Sequence, residues 1–153
     1  MLIKLDARQA MRYLTQLPDD KYLLHGSPTL TERLEPRQAD CIGGDGKIDA
    51  EKSQYGVYAS LWVRDAVVSA IVHNRRGWTV SEDLRTFTVL GEKATLGSGY
   101  LYVLPQDKFV RLSNVFWFIS KGPVAPIRIL EIGPDILKHL PDIVLPPHLT
   151  KPA

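Results

Sequence analysis

Eleven prolines in 153 residues, most of them in connections and in the last stretch, restrict this chain to short elements. Proline fixes φ and carries no amide hydrogen, so helices and central strands rarely run through it. The sequence therefore reads as many brief strands with few helices rather than as a helical bundle. At this length a single domain with a real core is expected. It divides into an N-terminal helix within 1–20, a core over 21–140 and a proline-rich tail over 141–153.

Asp6 can cap a helix over 7–17, where Ala7, Ala10, Met11, Leu14 and Leu17 recur at helical spacing and Pro18 follows. Tyr22 to His25 reads as a strand. From Ser27 to Gln54 periodicity is weak, and Pro28, Pro36, Gly43, Gly44 and Gly46 mark a long irregular segment. "YGVYAS" at 55–60 is a second strand. "LWVRDAVVSAIVHN" at 61–74 predicts the best helix, with Trp62, Ala66, Val67, Ala70 and Ile71 on one stripe, Ser60 as cap and Gly77 as stop. Four more strands are expected at 85–90, 99–105, 115–120 and 126–132, then a short helix opened by Pro134 over 134–140 and an extended tail. Helices early and strands late define an α+β class with a mostly antiparallel sheet.

Apolar residues make up 44% and charged residues 24%, and the formal charge is +2. That balance is too mild to argue for a nucleic-acid or membrane partner. Cys41 is the single cysteine, so no internal disulfide forms, and a cytoplasmic location is expected. "MLIKLDARQAMRYL" lacks the long apolar core and cleavage site of a signal peptide. No run is long enough for a membrane span.

Two attractive motifs fail. "CIGGDGKIDAEK" resembles a calcium loop, but aligning Gly46 with the loop's glycine puts Cys41, Gly43 and Lys52 where oxygen ligands belong. "LGEKATLGSGYLY" leads into a strand, not a helix, so it suits neither a phosphate loop nor a dinucleotide turn. His25, His73, His139 and His148 are scattered without metal-ligand spacing, and no metal is expected.

"KYLLHGSP" ends a strand in His25 and strips the next position, Gly26, of a side chain. Bare main chain there admits a planar ligand. On "YGVYAS", Val57 and Ala59 share one face, while Gly56, Tyr58 and Ser60 share the other. Tyr58 thus offers an aromatic wall. Taken singly, His25 and Tyr58 read as structural residues; their joint pattern is what lifts them.

"LLHGSP … LEPR … YGVYAS … DAVVSAIV", with "GYLYVLP" and a late Ser120-Lys-Gly-Pro-Val-Ala-Pro126, resembles the His-Tyr-Glu branch of the ADP-ribosyltransferase superfamily. The resemblance runs over most of 22–132 through short motifs. It implies an ADP-ribosyltransferase-like fold: two packed, mostly antiparallel sheets with a few flanking helices. It also implies NAD as substrate and no metal. His25 would bond a ribose hydroxyl, Gly26 would pair through its backbone with the nicotinamide amide, and Tyr58 would stack on the ring. Ser27 and Ser60 join the cofactor-binding set as polar contacts, and Arg37 of "LEPR" as a phosphate contact. Arg37 alone reads as a solvated loop charge.

The family's glutamate, which steadies the cation-like ribose as nicotinamide leaves, falls on or near Trp117 in the resemblance. No acidic residue lies between Arg111 and Pro126. Glu131, sharing a face with Ile127 and Ile129, is the nearest substitute as a catalytic residue. The expected functions are an ADP-ribosyltransferase with an unknown protein or nucleic-acid acceptor, or a catalytically inactive nucleotide- or protein-binding module on the same fold. A third reading, NAD-dependent removal of an RNA 2′-phosphate, needs arginines around the groove. Arg37, Arg64, Arg75, Arg76 and Arg85 exist, but nothing in the sequence brings them there.

Overall fold

The structure, a computed structural model, describes residues 2–38, 47, 53–112 and 117–152. The calcium-loop stretch lies almost wholly outside these residues, as do positions 115–116 of the expected strand.

Strand β1 (Leu2–Lys4), too short to show a sequence pattern, leads to helix α1 (Ala7–Thr15). Asp6 caps it as expected: its carboxylate accepts from the Gln9 amide at 2.8 Å, and the Gln9 side chain answers on the Asp6 amide at 3.0 Å. Strand β2 (Tyr22–Ser27) continues two residues past His25. A two-residue strand, β3 (Arg37–Gln38), pairs with β4 (Tyr55–Ser60). Helix α2 (Val63–Ile71) is shorter than predicted. The β-branched Val72 leaves the helix in extended conformation and opens β5 (Val72–His73), which pairs with β8 (Thr95–Leu96). Trp62, not Ser60, is the N-cap residue of α2, and the Ser60 hydroxyl instead accepts from the Trp62 amide at 2.9 Å. Gly77 is no helix stop; with φ of 133° it begins β6 (Gly77–Val80), which pairs with β7 (Phe87–Leu90).

Strands β9 (Gly99–Pro105), β10 (Val110–Arg111), β11 (Trp117–Ser120) and β12 (Arg128–Ile132) follow. The expected helix after Pro134 is a 3₁₀ turn, Pro134–His139. The tail is not merely laid on the surface: β13 (Ile143–Val144) adds to β7 in parallel, and Leu145 and Leu149 pack on the core.

The class is α+β. Among the described residues there are three sheets. The largest runs β1-β12-β9-β2-β4-β11-β10 with β3 beside β4; β6, β7 and β13 form a second, and β5 with β8 a third. All pairs in the large sheet are antiparallel except β1 with β12. Both of its faces are buried. Leu24, Leu101, Val103, Leu130 and Ile132 share a core with the buried residues of α2 on one side; Leu23, Val57, Ala59, Tyr102, Leu104, Phe118 and Ile129 form a second core on the other. No helix among the described residues is long and apolar enough to cross a membrane.

Two glycines decide how closely α2 approaches the sheet. A Cβ on Gly26 would stand 1.8 Å from the Ala66 carbonyl oxygen, and one on Gly99 would stand 1.9 Å from that of Ala70. The alanines present the thin side of the helix to two strand positions without side chains. Gly26 is therefore bare because helix backbone lies against it, which corrects the expectation that its Cα face is kept for a planar ligand.

Candidate functional site

The large sheet changes character between β2 and β4. Leu24 stands opposite Ser60, and no further pair joins these strands among the described residues. Alternation puts Tyr58 on the α2 face with Ser60, and His25 on the other face with Leu23. His25 and Tyr58 thus do not line one face as expected. They are joined differently: His25 Nδ1 lies 2.6 Å from the Tyr58 carbonyl oxygen, so the imidazole fills the seam where the strands part. A carbonyl only accepts, so Nδ1 carries the proton and Nε2 of the neutral ring is an acceptor. The ring meets Tyr102 edge-on, centroids 5.9 Å apart. Tyr102 in turn accepts from the Thr31 amide and donates to the Thr29 carbonyl, holding the chain that leaves β2.

Desolvation pushes the His25 pKa below its ordinary 6.5, reinforced by the charges of Arg37 and Arg75 and opposed by the bond to Tyr58. The unfolded chain takes up a proton near that value while the folded protein resists it. This contribution to stability is complete above pH 6.5 and is lost as pH falls toward the lowered folded value. Burial of Asp65, whose pKa is raised, acts in the opposite sense, so the imidazole is read from the difference between two proteins: on going from about pH 7.5 to about 5.5, the urea midpoint of wild type is expected to fall relative to that of His25→Gln. Equal slopes in the two proteins would contradict a desolvated neutral imidazole.

On the α2 face Tyr58 and Trp117 meet edge-to-face, centroids 6.4 Å apart at 87°, and Trp117 meets Trp78 likewise at 5.9 Å and 89°. All three are half-buried. The Tyr58 hydroxyl is tied to the Gln54 backbone, accepting from its amide and donating to its carbonyl. Behind the indoles lies Asp65, in the first turn of α2 and only 8% exposed. Trp78 Nε1 donates to one carboxylate oxygen at 2.9 Å and Trp117 Nε1 to the other at 2.8 Å; the Ser60 hydroxyl bonds it as well. Burial pushes the Asp65 pKa up, more than these donors and Arg75 bring it down.

No sequence pattern singles out Asp65 or Trp78, and Arg75 is one of several arginines that the sequence leaves unplaced. One signal was present: a buried indole needs an acceptor, and three tryptophans imply acceptors somewhere. Pairing them with Asp65 required the fold. Of the expected site residues, Gly26 and Ser27 are half-buried beside His25, and the Ser27 hydroxyl accepts from the Thr29 amide. Ser60 is 3% exposed and serves Asp65 and Trp62. Arg37 is exposed on β3, opposite Gly56.

Glu131 is not brought to Tyr58. It stands on β12 opposite Tyr100, which stands opposite Ser27, so two strand spacings, roughly 10 Å, separate it from β2. It pairs with Lys4 at 3.7 Å and lines a cleft of about 290 Å³ with Asp6, Ser98 and Asp135. Arg64 and Arg85 also fall away: Arg64 bonds the Leu84 and Arg85 carbonyls, and Arg85 pairs with Asp83 on the surface. Among the described residues no group of three or more His, Cys, Asp or Glu is placed to hold a metal. Compared with protein-family models, curated proteins and solved structures, the chain matches none.

Proposed function

We propose that this chain is an ADP-ribosyltransferase-like protein that binds NAD at the seam between β2 and β4 and holds it without transferring ADP-ribose. The observation that carries the reading is the His25–Tyr58 link. It leaves the imidazole Nε2 as an acceptor for a ribose hydroxyl, next to the half-exposed strand end at Gly26 and Ser27. Tyr58 and Trp117, half-buried on the α2 face across the seam from His25, supply aromatic surface that a nicotinamide ring reaches where β2 and β4 part.

Trp117 argues for binding over turnover. Its indole stands where the resemblance expects a carboxylate, and it is pinned to Asp65. Asp65 is spent on two indoles and a serine, and Glu131 is occupied with Lys4. Neither offers a free negative charge to a developing ribose cation.

Calorimetric titration with NAD, together with chromatography for released nicotinamide, tests both halves. Binding is expected, with no nicotinamide above the buffer control after overnight incubation. Tyr58→Phe, which keeps the ring, is expected to bind like wild type, whereas Tyr58→Ala loses affinity by about tenfold or more. No heat and no rise in melting temperature at millimolar NAD would refute the binding half. Sustained nicotinamide release that Glu131→Gln abolishes would refute the inactive half.

A further inference from the structure

Chain reversal after α2 brings a cation back along that helix. Asn74 adopts a left-handed φ of 59°, and the next side chain, Arg75, folds over the last turns. Its Nη2 donates to the Ser69 hydroxyl at 3.0 Å, one turn beyond Asp65 on the same side of α2. Arg76, by contrast, is exposed.

Arg75 is half-buried, and Ser69, which holds it, adjoins Ala70, whose amide nitrogen lies 2.9 Å from where a Cβ on Gly26 would stand; the turn of α2 that anchors the guanidinium therefore lies against the strand end that follows His25. Among the described residues no carboxylate lies within 4.0 Å of it, whereas the surface arginines Arg33 and Arg85 each have one. The Asp65 oxygens are engaged by Trp78, Trp117 and Ser60. A guanidinium presents five N–H donors in a planar fork, and Ser69 takes one. Withdrawing such a group from water without an ion partner is costly. Burial accordingly pushes its pKa down, with Asp65 opposing. The fork matches a phosphate in bidentate geometry.

We propose that Arg75, steadied by Ser69, anchors the diphosphate of the nucleotide bound beside His25. This inference rests on the NAD reading and names the group that fixes the middle of the ligand. Arg37, on the exposed β3 edge, is not that group.

The full chain is titrated calorimetrically, at about physiological salt, with inorganic pyrophosphate, ADP-ribose, nicotinamide and a single-stranded oligoribonucleotide. Wild type is expected to bind pyrophosphate and ADP-ribose. Arg75→Gln should weaken both by roughly 10- to 100-fold, the range of a hydrogen-bonded charge, and leave nicotinamide within about twofold. Arg75→Lys should fall between, since an ammonium cannot bond bidentately. Ser69→Ala releases the guanidinium without removing it and should weaken ADP-ribose binding about threefold to tenfold. It carries the test if Arg75→Gln does not fold.

ADP-ribose affinity unchanged in Arg75→Gln, or in Ser69→Ala and Arg75→Lys together, overturns the role of Arg75 and leaves the NAD reading standing. Arg75-dependent pyrophosphate binding without NAD or ADP-ribose binding sinks the NAD reading and keeps the anion site. Binding of RNA alone, with neither pyrophosphate nor ADP-ribose, overturns the proposal.

Discussion

Gly26→Ala and Gly99→Ala are each expected to destabilise the protein by about 3–5 kcal/mol, enough to leave much of it unfolded at 37 °C. One methyl group has this effect because of what it meets. At both positions the added carbon would fall within 2 Å of a carbonyl oxygen of α2, which is backbone and has no rotamer to escape into. Relief requires lifting the helix, and α2 carries Val67, Val68, Ala70 and Ile71, all fully buried. Separating those contacts forfeits packing along the whole helix, beyond ordinary overpacking. Gly122→Ala is the control: nothing lies within 4 Å of its added carbon, and its cost should stay within about 0.5 kcal/mol. Urea denaturation of the three variants decides the matter. A Gly26→Ala protein as stable as wild type would mean that α2 does not lie where the structure has it.

Asp65→Ala should cost about 3 kcal/mol, the second-largest effect, even though it removes a carboxylate whose own burial is unfavourable. Two indole N–H groups, on Trp78 and Trp117, then lose their acceptor inside a packed cluster. Leaving a buried donor unmet is worse than never having made the bond. Combining Asp65→Ala with Trp117→Phe removes one orphaned donor and should recover about 1 kcal/mol, a non-additivity expected of contacting residues. Asp65→Asn keeps one acceptor oxygen but turns an amide toward the second indole, so it should fall between wild type and Asp65→Ala. Denaturation followed by tryptophan emission reads both stability and the loss of indole order. Additive single and double variants would show that Asp65 and Trp117 do not act on each other.

The strands were legible where one face of the pattern was unambiguous. "YGVYAS" and "GYLYVLP" are strands over the expected residues, because alternation, β-branched residues and aromatics agreed there. The helix around Ala66 was legible in kind but not in length, since Val72 and His73 pair with β8 through contacts a local pattern cannot contain. β1 and β13 were missed for the same reason: three and two residues carry too little periodicity, and only a partner strand makes them strands. At the candidate site, His25, Gly26 and Tyr58 could be picked out, but their relation was misread. Assigning both rings to one slot assumed that β2 and β4 stay in register, whereas they part after a single pair and the imidazole bonds main chain instead.

What the amino-acid order determined by itself was local: where the chain turns, which faces are apolar, where Asp6 caps a helix, and that a glycine follows His25. Those properties depend on a few neighbouring residues and survive without tertiary context. Only the folded arrangement decided that Gly26 accommodates a helix, that Trp117 leans on Asp65, and that His25 bonds the Tyr58 carbonyl. Each of these joins elements distant along the chain through a distance or a burial, and such quantities exist only once the sheet and α2 have packed.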